Sequence, residues 1–169
     1  LTLDGEVYSV PFLNTAMLCP YSMTAIRNDW LARVGLDAPV TLEDWHEMLT
    51  AFTFRDPDGN GKDDTYGMSI AWQGVNACLP LSAHFNTTDL SVYQQDQDGN
   101  VFLSSTTDNY RAYLSTLAKW YKEGIIDPEF RTDGRTQWRE KFSSSQRLGI
   151  YSDHYQQMCV VEEWAYKAI

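Results

Sequence analysis

The chain is poor in the residues that mark several functional classes. Only 13 of its 169 residues are Lys or Arg, against 23 Asp or Glu, for a formal net charge of −10 at pH 7. Nucleic-acid binding needs clustered cations to neutralise phosphates, and none is visible, which argues against that class and against anionic membrane surfaces. No apolar run reaches the roughly eighteen residues that a bilayer-spanning helix requires. Cysteine is scarce: Cys19, Cys78 and Cys159 have no CxxC pairing and no histidine at zinc spacing. They read as small buried hydrophobes, and their odd number leaves at least one free thiol, with one disulfide left open. There is no Gly-x-Ser-x-Gly elbow, no His-Glu-x-x-His, no phosphate loop and no internal repeat. A basic-then-apolar leader is missing too. The opening Leu1-Thr2-Leu3-Asp4-Gly5 reads as the middle of a structure, so we expect an excised segment.

What is abundant is aromatic and acidic. Hydrophobic residues make up 43% and aromatics 14%, with six Trp and ten Tyr, enough for one globular domain with a core. Core packing claims most of these rings, and the remainder suit a surface that stacks on sugars. The acidic residues concentrate in Arg55-Asp56-Pro57-Asp58-Gly59-Asn60-Gly61-Lys62-Asp63-Asp64-Thr65-Tyr66-Gly67. Alternate oxygen donors around a central glycine are how a short loop wraps Ca²⁺. Asp56, Asp58 and Asn60 stand at positions one, three and five, Gly61 at six, the Lys62 carbonyl at seven and Asp64 at nine. Position twelve is Gly67 where an EF-hand has Glu, so the loop is not an ordinary EF-hand. The alternative is a solvated acidic turn, built from the same turn-forming residues. Bound calcium here is expected to be structural.

Along the chain, Glu6 to Pro11 reads as a strand after an Asp4-Gly5 turn, with a second extended piece from Met17 to Arg27. Asn28 is expected to cap a helix carrying Trp30, Leu31 and Val34 and stopped by Gly35. Thr41, with Asp44 three residues on, forms a variant capping box for a helix whose apolar face is Leu42, Trp45, Met48, Leu49 and Phe52. Tyr66 to Trp72 alternates as a strand, and Asn76 to Phe85 reads as a helix interrupted by Pro80. Segments 92–94 and 100–103 form a hairpin; Asp96, Asp98 and Asn100 echo the metal loop, but Val101 takes the glycine position, so this is a turn. Thr107 to Glu123 is the longest helix, with Tyr110, Tyr113, Leu114, Leu117 and Tyr121 on one face and Gly124 as its stop. A further helix carries Trp138 and Phe142, and Leu148 to Tyr151 is a short buried strand. The closing stretch through Tyr155, Trp164 and Tyr166 reads as helical. His46 and His84 are lone histidines on helices, without an assigned role.

The order of these features resembles the extracellular solute-binding proteins of bacterial ABC importers, of the oligosaccharide- and alginate-binding lipoprotein type. The resemblance rests on six stretches in the family's order: Asp4 to Pro11, Ile26 to Leu36, Pro39 to Trp45, the Asp56 to Lys62 loop, Trp120 to Phe130 and Leu148 to Tyr151. It implies one lobe of an α/β periplasmic-binding-protein type II fold, helix-rich with short strands, with residues 1–169 as a single lobe. Segments 1–12 and 148–153 would lie near the crossings to a partner lobe. It assigns Asp56, Asp58, Asn60, Lys62 through its carbonyl, and Asp64 to Ca²⁺, and it asks for Glu where this chain has Thr65, whose hydroxyl or carbonyl, or a water, would then complete the shell. It also implies a solute, favouring an oligosaccharide, trapped between hinged lobes and handed to the importer's membrane subunits. Ligand contacts are then expected at Trp72, Gln73 and Asn76, with core burial the alternative for Trp72, and at Tyr151, Asp153, His154 and Tyr155, where rings stack on sugars and polar groups bind hydroxyls. The family's place is outside the cytoplasmic membrane, tethered by lipid on a part not present here.

Such a protein performs no chemistry. The rival is a carbohydrate-active hydrolase with paired carboxylates, though no two acids stand out as that pair. A calcium-dependent adhesion or docking module is a third reading, and it would usually carry paired metal loops.

Overall fold

A computed structural model of the chain describes residues 2–4, 6–7, 23–70, 79–87, 93–153 and 166–168. At its centre is strand β3 (Met23–Arg27), flanked by two antiparallel neighbours. On one side β6 (Ile150–Asp153) pairs Met23 with Asp153 and Ile26 with Ile150; on the other β7 (Tyr166–Ala168) pairs Ala25 with Ala168 and Arg27 with Tyr166. Thr24, Ala25, Ile26 and Arg27 are all buried, as befits a central strand covered on both faces. The Tyr166 segment is therefore a strand and not the helix its aromatic pattern implies, because the free edge of β3 offers it a hydrogen-bonding partner from far away in sequence. A small pair, β1 (Thr2–Leu3) with β2 (Glu6–Val7), turns at Asp4 as expected.

Helix α1 (Asn28–Val34) leaves β3 without a break. Asn28 is its first residue and not its cap: Arg27 holds the cap position without a capping side chain, and its guanidinium instead pairs with Asp29 and lies 4.9 Å from the centre of the Trp30 ring. Gly35 ends the helix in the left-handed conformation, which a side chain would resist. Helix α2 (Leu42–Phe54) begins with a complete capping box, Asp44 N–H donating to Thr41 Oγ1 at 3.1 Å and Thr41 N–H to Asp44 Oδ2 at 2.8 Å. Hydrogen bonds donated by the Thr41 and Val40 N–H groups hold the Asp44 carboxyl below its ordinary value. Thr41→Ala is expected to cost about 1 kcal/mol in chemical denaturation.

Trp45, Met48, Leu49 and Phe52 line the buried face of α2, where Phe52 meets Trp30 edge-on at 5.3 Å. Against them pack Tyr113, Leu117 and Trp120 of α4 (Asp108–Lys122), capped by Thr107 and followed by Gly124 at positive φ. Trp120 and not Tyr121 completes that face; Tyr121 is partly exposed and touches Phe130. Residues 66–68 form only isolated parallel bridges, Tyr66 to Leu148 and Met68 to Ile126, so the expected strand is short within the described residues. Gly67 crosses α2 so closely that a β-carbon there would stand 2.7 Å from the Leu49 carbonyl oxygen. Helix α3 (Leu79–Ala83) contains Pro80; residues 76–78 of the expected Asn76 to Phe85 helix lie outside the described residues. Strands β4 (Tyr93–Gln95) and β5 (Val101–Leu103) form the expected hairpin, with Asp96 Oδ1 accepting from Asp98 and Asn100 N–H.

Helix α5 (Arg135–Ser143) packs Trp138 and Phe142 with Leu148 and Tyr151 in a second cluster. Its Lys141 reaches into the connector after α4. There Nζ lies 2.6 Å from Asp127 Oδ2, 2.6 Å from Asp133 Oδ2 and 2.7 Å from Glu129 Oε2. Burial alone would lower the Lys141 pKa, but the hydrogen bonds its ammonium donates to the carboxylates of Asp127, Asp133 and Glu129 outweigh it and drive the value above that of an ordinary lysine.

Candidate functional site

Two places carry the expected binding residues, the acidic loop after α2 and the end of β6. The loop folds on its own side chains. Asp56 sits at φ 46°, and its carboxylate accepts from the N–H of Asn60 at 3.0 Å and of Gly61 at 3.1 Å. Gly59 and Gly61 take φ of 73° and 76°, the left-handed region that lets the backbone wrap inward. The Asn60 amide donates to Asp58 Oδ2 at 2.6 Å and to Asp64 Oδ1 at 3.3 Å, while its oxygen accepts from Lys62 N–H at 2.8 Å. Asp56, Asp58, Asn60 and Asp64 are thus joined in one hydrogen-bonded ring.

The donor chemistry of that ring suits a hard cation, being all oxygen once Asn60 turns its carbonyl inward. As it stands, the Asn60 N–H bridges two carboxylates in the role a cation would take. Among the described residues no three acidic, histidine or cysteine side chains close on a common point as a ready metal group. Partial burial raises the Asp58 pKa, assisted by the neighbouring carboxylates of Asp56 and Asp64, although the Asn60 N–H works against it. Thr65 is buried, and its hydroxyl donates to the Phe52 carbonyl at 2.9 Å, which ties the loop's exit to α2.

Sequence reasoning missed the two arginines that brace this loop. Arg33 of α1 donates to the Pro57 carbonyl at 2.7 Å, and Arg147 Nε donates to the Asp64 carbonyl at 2.6 Å. Both are distant in sequence and neither lies in a local pattern, so no signal short of the fold exposes them.

At the end of β6, Tyr151 is 0% exposed, stacked on Trp138 at 5.1 Å and edge-on to Phe142 at 4.4 Å. A ring so enclosed offers no face to a solute, and it shapes the strand end from beneath. Asp153 is the last residue of β6, opposite Met23. Trp72, Gln73, Asn76, His154 and Tyr155 lie outside the described residues, as do all three cysteines. His46, left without a role by the sequence, pairs Nε2 with Glu123 Oε2 at 2.9 Å and joins α2 to the end of α4.

No protein-family model matches the chain. Lipoprotein LipO of Bacillus subtilis (strain 168) is 38% identical over 143 residues, covering 82% of this chain and 27% of LipO. The fructooligosaccharide ABC transporter substrate-binding protein FusA of Streptococcus pneumoniae serotype 4 (strain ATCC BAA-334 / TIGR4) is 30% identical over 159 residues, covering 88% of this chain and 29% of FusA. The S. pneumoniae FusA structure in complex with kestose matches with a TM-score of 0.76 at 28% identity, over 88% of this chain and 30% of that one. A FusA EF-hand mutant in complex with fructo-nystose gives a TM-score of 0.75 at 26% identity, over 87% of this chain and 30% of that one. The chain therefore spans 27% and 29% of the length of the two curated relatives.

Proposed function

The chain belongs to the solute-binding proteins of bacterial ABC importers, and from that premise we propose that it is one lobe of a hinged clamp that captures an oligosaccharide. Segments 1–12 and 148–153 are its connections toward the partner lobe. Solute bound between lobes favours the closed state, which the importer's membrane subunits recognise. Trp72, Gln73, Asn76, Asp153, His154 and Tyr155 are this lobe's contacts to the solute, while Tyr151 of β6 is enclosed by Trp138 and Phe142. The protein works outside the cytoplasmic membrane on a lipid tether; no described helix is long and apolar enough to cross a bilayer. The observation that supports this reading best is the agreement of the fold with the kestose complex of FusA. Calorimetry of the full-length protein with kestose, and with neutral and acidic oligosaccharides, tests it. Saturable binding without released sugar is expected; shortened products would move the reading to a hydrolase, and no binding across the set would remove the solute class.

The loop after α2 is a structural calcium site in this reading, held by Asp56, Asp58, Asn60, the Lys62 carbonyl and Asp64. Thr65 anchors its exit. The raised Asp58 pKa sets the sign of the pH effect. Because the folded protein holds this proton more tightly, the metal-free loop loses stability as pH rises through the range above the ordinary carboxylate pKa. Calcium displaces the proton and reverses that trend. Adding Ca²⁺ at about 100 times its Kd is expected to stabilise the fold by about 2.7 kcal/mol. The melting shift should be larger at neutral pH than near pH 4 and absent in Asp58→Ala. Identical melting curves with Ca²⁺ and with chelator would end the metal assignment.

A further inference from the structure

A second concavity lies on this lobe, built from the segment between α3 and the start of α4, and none of its lining residues is among the expected solute contacts. It is a groove of about 410 Å³, within the roughly 300–1,000 Å³ of small-ligand sites, lined by Asn86, Thr87, Gln94, Phe102, Ser104 and Asn109, with Asp96 among its remaining lining residues. The fold brings these together for local reasons. After α3 the chain turns through Asn86 in the left-handed conformation, φ 49°, which asparagine tolerates better than most residues, and this delivers Thr87. In the hairpin, Gln94 is paired directly with Phe102, so both stand on one face of the ribbon. The adjacent residues Tyr93 and Val101, on the opposite face, are 76% and 67% exposed. The short 3₁₀ turn Ser104–Thr106 then places Ser104 beneath the groove and Asn109 on the first turn of α4.

Two features of the lining point to a ligand. Thr87 and Ser104 are each 2% exposed, yet Thr87 Oγ1 and Ser104 Oγ have no hydrogen-bond partner among the described residues. A buried hydroxyl without a partner costs about 1–3 kcal/mol, so a donor or acceptor arriving in the groove is favoured. The rest of the lining is carboxamide and hydroxyl with one aromatic ring, the set that recognises hydroxyl groups and a flat C–H face. No basic side chain is among its described lining residues, and hydrogen bonds from the Asn100 side chain and N–H hold the Asp96 carboxyl below its ordinary value. An anion would meet that negative charge with no basic side chain among the described lining residues to offset it.

We propose that this groove binds a neutral polyhydroxylated ligand, a mono- or disaccharide unit, on residues other than the proposed interlobe contacts. The site does not depend on the clamp reading and fails or stands by itself. The test is a titration of the ¹⁵N-labelled chain with sucrose, with glucose 6-phosphate and galacturonate as acidic controls, followed by NMR of the backbone and the Asn and Gln side-chain amides. Saturable shifts at Asn86, Gln94 and Asn109 with sucrose, and none with the acidic sugars, are the expected result. Thr87→Val and Ser104→Ala provide the sharper arm. Because these hydroxyls bond nothing among the described residues, their removal should leave the melting temperature unchanged or raised while weakening sucrose about tenfold, the equivalent of 1.4 kcal/mol. A groove that holds only water gives no saturable shift, and that result overturns the proposal. So do shifts confined to the β6 end, equal binding of the acidic sugars, or variants that bind sucrose as tightly as the parent.

Discussion

Replacing Lys141 with methionine is expected to destabilise the fold by about 3–5 kcal/mol, the range for removing one partner of a buried ion pair. The loss comes less from the absent ammonium than from what it leaves behind. The Asp127 side chain is fully buried and Asp133 nearly so, and both would be negative, close together and without a counterion. Glu129 is mostly exposed and contributes little, because water screens it. For a chain of this size the expected fall in melting temperature is roughly 6–20 °C, at about 2–4 °C per kcal/mol. Thermal unfolding of Lys141→Met, Asp127→Asn and the double variant measures it. The double variant should recover part of the loss, since neutralising Asp127 removes the stranded charge. Strictly additive losses would show that the two groups do not interact. The sign of the pH effect follows from the raised Lys141 pKa. The network's contribution is complete below the ordinary lysine value of about 10.4 and fades only as pH climbs beyond it.

Gly67→Ala should be nearly as damaging for a steric reason. An added methyl would meet the Leu49 carbonyl oxygen at 2.7 Å and Leu49 Cα at 2.9 Å, both backbone atoms in the middle of α2. A flexible side chain can swing away from such an intrusion, but a helix backbone must shift as a body. The expected loss is about 3 kcal/mol, the upper part of the usual range for overpacking. Gly67 N–H also donates to Thr53 Oγ1 at 3.0 Å, so displacement would strain that bond too. Gly124→Ala is the comparison. There the nearest neighbour to an added carbon is Phe54 Cζ at 3.7 Å, ordinary contact, and the penalty is only that of the positive φ. Urea unfolding of the two variants separates crowding from conformation; equal losses would contradict the steric account.

What was legible in the sequence was what is local. The Thr41–Asp44 box spans three residues, Gly35 and Gly124 sit at helix ends, and the turns of the acidic loop and the hairpin are written in Asp, Asn and Gly. The apolar stripe of α2 could be read for the same reason, since its spacing is a property of one helix. The misreadings came from partners distant in the chain. Asn28 has the chemistry of a cap, but the continuous passage from β3 into α1 leaves it inside the helix and turns Arg27 toward Asp29 and Trp30. Tyr166 sits in an aromatic stretch that fits a helix, and only the open edge of β3 makes it a strand. In the site, the carboxylates could be seen but not the arginines that hold the loop's carbonyls. Tyr151 showed its chemistry but not its enclosure by Trp138 and Phe142.

The pairing of β3 with β6 and β7 has a consequence for how the protein is made. Its middle strand emerges from the ribosome ahead of its two neighbours, both of which lie more than a hundred residues downstream. Contacts that close such long loops slow folding. The nascent chain can gather α1, α2 and α4 around Trp30 and Phe52 while synthesis continues, but Ala25 and Ile26 must wait with both flanks bare. A pause in translation between these segments would prolong that exposure, and it is there that a chaperone has most to protect.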